Sequence, residues 1–169
     1  MRSIGLQCIK IFHTAGVMLS MAQTHLSLHA HLIFHRKDNR ESIKEEWRER
    51  LHAFLGGCLK TAGCIPEAVG GTNDHVHILV GFRATNCLAD LVKDIKVASS
   101  KWVHQDIGYR MFAWQGGYGA ITESPRQINR VKRYIANQME HHKVKSSQDE
   151  YVELLDAAGV EYDPKYLWK

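Results

Sequence analysis

Apolar and polar side chains alternate along residues 24–35 and again along residues 75–82. In the first segment one set of alternate positions is apolar: Leu26, Leu28, Ala30, Leu32 and Phe34. The other set is polar and rich in histidine: His25, Ser27, His29, His31 and His35. Because neighbouring residues of a strand point to opposite faces, this period of two predicts strands with a buried side.

Between and after these strands the apolar period changes to that of a helix. It does so in residues 43–62 and 88–104, in a segment that begins at Ser124-Pro125 and runs to about residue 142, and in residues 149–158. Further strands are predicted at 64–71, 112–114 and 118–122. The order β-α-β-β-α-β predicts an α+β, ferredoxin-like (RRM-like) fold. Its antiparallel sheet has helices mainly on one face, and a tyrosine-bearing C-terminal helix is added.

Residues 1–22 precede the first patterned segment and fit no element. His13 interrupts their apolar positions and no clean cleavage site follows, which argues against a signal peptide. Met18 and Met21 are alternative starts. We therefore expect residues 1–22 to be a disordered extension or a misassigned start, and residues 23–169 to form one domain.

Composition narrows the choice of partner only modestly. The 22 Lys and Arg exceed the 18 Asp and Glu, which permits a nucleic-acid partner without requiring one. The four cysteines contain no CxxC pair, which argues against a zinc knuckle and predicts free thiols in a cytoplasmic protein. No apolar run approaches the length of a membrane span.

The pair His75 and His77 is the first candidate for chemistry. Residues i and i+2 of a strand share a face, so both imidazoles are expected to project together as half of a divalent metal site. Asp74 is a candidate to orient one imidazole, or a plain turn residue. The competing interpretation is a pair of partly exposed sheet histidines. A second pair, His29 and His31, is interpreted as lining the same groove or facing DNA phosphate.

The helix of residues 128–142 supplies the second candidate. Arg130, Tyr134 and Gln138 lie at i, i+4 and i+8 beside its apolar stripe. Gln138 is therefore one turn from Tyr134 and able to offer an oxygen to a metal near the hydroxyl. Alternatively, Tyr134 only packs its ring and hydrogen-bonds its hydroxyl.

Taken together these segments resemble the single-tyrosine transposases of the HUH endonuclease superfamily. The resemblance rests on an ordered set of segments: residues 31–34 (HLIF), 75–77 (HVH), 114–120 (WQGGYGA), Tyr134 with Gln138, residues 141–142 (HH) and 161–168 (EYDPKYLW). The N-terminal extension and the small Ala30 depart from the family pattern.

The resemblance implies a role for each matching residue. His75, His77 and Gln138 match the ligands of a Mg²⁺ or Mn²⁺ ion, and Tyr134 matches the nucleophile. Residues 23–169 would form a catalytic domain that cleaves and rejoins single-stranded DNA with hairpin ends through a 5′-phosphotyrosine. The active form would be a homodimer whose sites combine both subunits.

DNA contacts are expected from cations beside these elements: Arg36, Lys37, Lys96, Lys101, Arg130 and Arg133. Trp114 or Tyr118 could stack an unpaired base, or simply pack. The alternative function is a non-catalytic module that binds a DNA hairpin or recognises RNA on its sheet. The sheet sequence has histidines where RNA-recognition domains carry aromatic residues.

Overall fold

The structure is a computed structural model that describes residues 25–37 and 43–168. The predicted extension at residues 1–22 lies outside these residues. Within the described part no helix is both long and apolar enough to cross a membrane.

Four antiparallel strands form one sheet in the order β2-β3-β1-β4. They are β1 (Leu28–His35), β2 (Ile65–Gly71), β3 (His75–Phe82) and β4 (Gly119–Thr122). The helices are α1 (Glu45–Thr61), α2 (Leu88–Trp102), α3 (Ile128–Ala136), α4 (Gln138–His141) and α5 (Ser147–Ala157). This arrangement confirms the predicted α+β, ferredoxin-like fold.

One face of the sheet packs against α1 and α2 through an apolar core. Leu32 and Phe34 of β1 lie in this core with Leu51 and Leu55 of α1 and Ile95 of α2, and all five are buried. Each such side chain contributes about 1.5–3 kcal/mol by leaving water. This face therefore gives the fold its main apolar support.

The other face is covered by α3 and α5. Ile33 packs with Tyr151 and Leu155 of α5, while Leu79 packs with Val131 and Ile135 of α3. Two glycines permit the close approach of these helices. A Cβ on Gly70 would lie 2.7 Å from the carbonyl oxygen of Ile135, and one on Gly119 would lie 2.8 Å from the Tyr151 ring.

Three elements differ from the sequence prediction. The helix predicted to run to about residue 142 is interrupted at Asn137, whose N–H is shared between the carbonyls of Arg133 and Tyr134. The predicted strand at 112–114 is a single bridge between Arg36 and Trp114. After Trp102 the second helix widens into a π-helical turn, Val103–Ile107, which ends at the left-handed Gly108.

Candidate metal and tyrosine site

His75 is fully buried, and its ring orientation is set by a carboxylate. Its Nδ1 lies 2.6 Å from Asp74 Oδ1, and Asp74 accepts further bonds from Thr72 Oγ1 (2.8 Å) and Ser147 Oγ (2.6 Å). Burial acts to raise the pKa of Asp74, but the bonds from His75, Ser147 and Thr72 lower it well below its usual range. In the neutral imidazole the Asp74 carboxylate therefore favours the proton on Nδ1, and Nε2 then keeps its lone pair.

His77 is also fully buried and is oriented by another histidine. Its Nδ1 lies 2.8 Å from His31 Nε2, whereas its own Nε2 has no hydrogen-bond partner among the described residues. Burial lowers the pKa of His31 to about 4 and that of His77 well below its ordinary value. Both rings are therefore neutral near pH 7, and His77 can donate its Nδ1 proton to His31 and keep a free lone pair on Nε2.

Two oxygens from different helices face these lone pairs. Gln138 Oε1, from α4, lies 3.1 Å from His75 Nε2. Glu150 Oε2, from α5, lies 3.3 Å from His77 Nε2 and 3.6 Å from His75 Nε2. Gln138 also donates from Nε2 to Glu150 Oε1 at 2.8 Å, so the amide orientation points its oxygen towards His75.

These four atoms fit a divalent cation. An imidazole lone pair facing a carbonyl or carboxylate oxygen is a contact of two acceptors, which a cation between them makes favourable. Ligands about 2.1 Å from an octahedral ion lie about 3 Å apart, close to the separations here. Mixed nitrogen and oxygen donors suit several divalent ions. The structure thus brings together the predicted His75, His77 and Gln138, and adds Glu150.

The sequence analysis missed Glu150, although one feature could have identified it. The buried stripe of α5 consists of Ser147, Glu150, Tyr151 and Leu155. An acidic residue within the apolar period of a short helix is unusual, because a buried carboxylate needs a partner.

Tyr134 reaches the same carboxylate. Its hydroxyl donates to Glu150 Oε1, and its ring meets the His77 ring edge-on with centroids 5.6 Å apart. Burial and the hydrogen bond to Glu150 raise the pKa of Tyr134 above its usual range. The tyrosine also lines a cavity of about 290 Å³ together with Arg130 and His31. It is therefore a protonated phenol beside the site that remains accessible through this cavity.

His141 and His142 surround Glu150 from the other side. His142 Nε2 lies 2.9 Å from Glu150 Oε2 and 2.9 Å from Gln138 Oε1, and His141 Nε2 lies 3.5 Å from Glu150 Oε1. Burial would raise the pKa of Glu150, but its hydrogen bonds with His142 and Tyr134 lower it far below the usual range. Burial conversely lowers the pKa of His142, and the bond to Glu150 outweighs this and raises it. Glu150 is thus held as an anion at the centre of the cluster.

Five of the six predicted DNA contacts are either exposed or fully buried. Lys37, Lys101, Arg130 and Arg133 are exposed, as a phosphate contact requires. The expectation for Arg36 needs correction, since its side chain is only 1% exposed, stacks on Phe112 and donates to the Ala113 carbonyl. Its long apolar stem makes such burial favourable when the guanidinium is bonded.

Lys96 belongs to neither group. Its Nζ donates to the carbonyls of Gln115 (3.1 Å) and Gly117 (2.5 Å). Burial lowers the pKa of Lys96 to about 8.

The sheet offers no open platform of the kind used by RNA-recognition domains. On the face towards α3 and α5, the central side chains His31, Ile33, His77 and Leu79 are at most 2% exposed. The alternative of base stacking on the sheet surface is therefore not supported by the fold.

Comparison with known proteins identifies the family of this chain. A family profile described as "Transposase IS200 like" matches residues 24–138. No curated protein sequence matches the chain. Among solved structures, a candidate transposase from Deinococcus radiodurans R1 has a TM-score of 0.56 and 23% identity, over 75% of this chain and 98% of that one.

A second similar structure is a REP-associated tyrosine transposase bound to a REP hairpin. It has a TM-score of 0.54 and 11% identity, over 74% of each chain. At these identities the two structures support the fold, while the profile, which spans more than half of the chain, shows the family. The chain therefore belongs to the IS200-like transposase family, a family of DNA-cleaving enzymes.

Proposed function

We propose that this transposase cleaves and rejoins single-stranded DNA, using Tyr134 as the nucleophile and a divalent ion as the cofactor. One observation carries the proposal. The Tyr134 hydroxyl and both imidazoles of the His75–His77 pair converge on one carboxylate, Glu150. A tyrosine that only packed its ring would not need two buried histidines beside the carboxylate that accepts its hydroxyl.

His75, His77, Gln138 and Glu150 would hold the ion. When bound, a divalent ion supplies Lewis-acid stabilisation of charge on a phosphate oxygen. The expected ion is Mg²⁺ or Mn²⁺. Since two of the four donors are imidazoles, we expect Mn²⁺ to bind more tightly than Mg²⁺, which prefers oxygen ligands.

The tyrosine step is a transesterification. The Tyr134 oxygen attacks phosphorus, the bond between phosphorus and the 3′ oxygen breaks, and the departing strand end takes up a proton as a 3′-hydroxyl. Glu150 accepts the hydrogen bond of the Tyr134 hydroxyl and orients the phenol, which loses its proton as the new bond to phosphorus forms. The 5′-phosphotyrosine retains the phosphodiester energy, so a second 3′-hydroxyl can reverse the step and join new ends.

The DNA would approach through the cavity that Tyr134 shares with Arg130, which offers a cation for the phosphate. A second cavity of about 390 Å³ beside the site is lined by further cations, among them Arg48, Lys143 and Lys145. Hairpin ends as the substrate are supported by the similar structure that holds a REP hairpin.

We further propose that the active form is a homodimer. Light scattering would report the dimer. Co-expression of Tyr134→Phe with His77→Ala then tests whether a site is shared between subunits or built within one chain. Shared sites would restore activity in mixed dimers, whereas sites within one chain would not.

The decisive experiment is incubation with labelled hairpin DNA from the flanks of the protein's own gene, with Mn²⁺, Mg²⁺ or EDTA, followed by denaturing electrophoresis. We expect a covalent protein–DNA adduct that requires metal and is absent from Tyr134→Phe. Tyr151→Phe is the matched control, since Tyr151 is buried on α5 and packs with the His35 ring. Tight binding without any adduct would favour the non-catalytic hairpin-binding alternative.

A further inference from the structure

A groove lies between α2 and the segment that precedes β4, on the sheet face opposite His75 and His77. Its volume is about 590 Å³, within the range of small-ligand sites. We call it the lysine groove and define it by Lys93, Lys96, Lys101, Gln115 and Tyr118. Its floor is formed by the apolar core, which includes Phe112 and Trp114.

The charge of the lysine groove has one sign. Its basic lining residues are Lys93, Lys96, Lys101 and His104, and no described Asp or Glu lines it. Asp90 pairs with Lys93 at 3.6 Å, but both side chains are 69% exposed, so the pair leaves Lys93 largely available. Cations above an apolar floor suit a nucleotide, whose phosphate is anionic and whose base is flat and largely apolar on its faces.

Gln115 gives independent evidence for a ligand. This residue is only 3% exposed, and its Nε2 donates to the Gly117 carbonyl at 3.3 Å, while its Oε1 has no hydrogen-bond partner in residues 25–37 and 43–168. A buried acceptor without a partner is costly, and its neighbours hold it in place. The Gln115 N–H donates to the His35 carbonyl at 3.0 Å, and its own carbonyl accepts from Lys96.

We propose that the lysine groove binds one unpaired nucleotide of the DNA substrate. The base would donate a hydrogen bond to Gln115 Oε1 and stack on Tyr118, and the adjoining phosphates would lie at Lys93 and Lys101. Lys96 is a positioning residue, because it holds the carbonyls of the segment that carries Gln115. The inference rests on the proposed function, since it assumes a single-stranded DNA substrate.

The test uses the Tyr134→Phe protein, so that binding is measured without covalent adducts. Fluorescence anisotropy would give the Kd for a short unpaired oligonucleotide and for a blunt hairpin stem across a salt series. In Lys93→Gln/Lys101→Gln the slope of log K against log salt for the unpaired strand should fall by about 1.4, or about 0.7 for each lost contact. The matched pair Lys44→Gln/Lys60→Gln removes two exposed lysines of the α1 region and should leave the slope unchanged.

Two further variants report on the base itself. Gln115→Met has a similar volume without the acceptor, and Tyr118→Leu removes the stacking surface. Wild-type protein should quench the fluorescence of an oligonucleotide that contains 2-aminopurine, and each variant should quench it less. The lysine pair is exposed and should not disturb folding, so it tests the proposal even if a variant of the buried Gln115 unfolds.

The proposal is overturned if the two double variants lower the affinity for unpaired DNA equally. It is also overturned if Lys93→Gln/Lys101→Gln lowers the affinity for the blunt stem as much as that for the unpaired strand. The adduct assay on wild-type protein is separate. A protein that forms no adduct yet shows the groove-dependent slope would retain the lysine groove and lose the proposed chemistry. An adduct together with unchanged slopes would support the proposed chemistry and reject the lysine groove as a nucleotide site.

Discussion

The two faces of the sheet bury different kinds of side chain. The face under α1 and α2 is filled by apolar residues such as Leu32, Phe34 and Leu55. The face under α3 and α5 buries His31, His35, His75 and His77, with Glu150 at the centre. Apolar packing stabilises the first face directly, whereas the second concentrates polar groups whose desolvation costs free energy unless each has a partner.

This difference explains why the candidate catalytic site lies on the second face. His77 Nε2 has no partner on the second face, and the lone pair of His75 Nε2 faces an oxygen. Such contacts are retained where a ligand completes them. Residues of the first face should therefore govern stability and residues of the second face should govern ion binding. A substitution on one face should have little effect on the property that the other face governs.

The largest effect is expected from the apolar face. Leu55→Ala should lower the free energy of unfolding by about 3 kcal/mol, because it leaves a cavity in a fully buried core. Urea unfolding of the metal-free protein measures this. The Mn²⁺ affinity of the folded variant should stay at the wild-type value, and a large loss of affinity would contradict the separation of the two faces.

Removing the central carboxylate is the corresponding test of the polar face. Glu150→Gln should weaken Mn²⁺ binding about 100-fold, since it replaces a proposed anionic ligand by a neutral one. Isothermal titration calorimetry gives the affinity. Glu153→Gln on the same helix is the matched control, because Glu153 is exposed and pairs with Lys145. Equal affinities for the two variants would remove Glu150 from the ligand set.

A smaller effect is expected for Asp74, which contacts the proposed ligand His75. Asp74→Asn should weaken Mn²⁺ binding about tenfold, because a neutral amide holds the Nδ1 proton of His75 less firmly than a carboxylate does. Thr72→Val, which leaves the carboxylate in contact with His75, should cost less. If Thr72→Val were the more damaging change, Asp74 would not be the group that orients His75.

The smallest effect concerns the pH dependence of stability on the apolar side. Burial lowers the pKa of His52 on α1 to about 4, from 6.5. The unfolded chain therefore takes up a proton first as the pH falls, and stability is lost between pH 6.5 and about 4. His52→Leu should remove about 1 kcal/mol of the loss seen at about pH 5.5.

Thermal unfolding of the metal-free protein at several pH values would detect this change, with wild-type and His52→Leu protein compared in EDTA. An equally steep fall in the melting temperature of both proteins would show that His52 does not contribute to the acid sensitivity.

Much of the fold was predictable because alternation and helical period are local properties. The period of two at residues 75–82 predicted β3 with the bounds that the structure shows, and the predicted α1, α2 and α5 agree to within a few residues. Elements that depend on neighbours were predicted less well. The helix interruption at Asn137 has no counterpart in the apolar period. Residues 112–114 were predicted to be a strand, although the structure shows a single bridge there.

The same division holds for the candidate site. The sequence by itself determined that His75 and His77 share a strand face and that Tyr134 and Gln138 share a helix face, because both facts follow from backbone periodicity. Only the tertiary structure placed Glu150 among them and buried Arg36 against Phe112. Those positions depend on how α5 and the segment before β4 pack on the sheet. Contacts between residues far apart in the chain produce no periodic pattern in the amino-acid sequence.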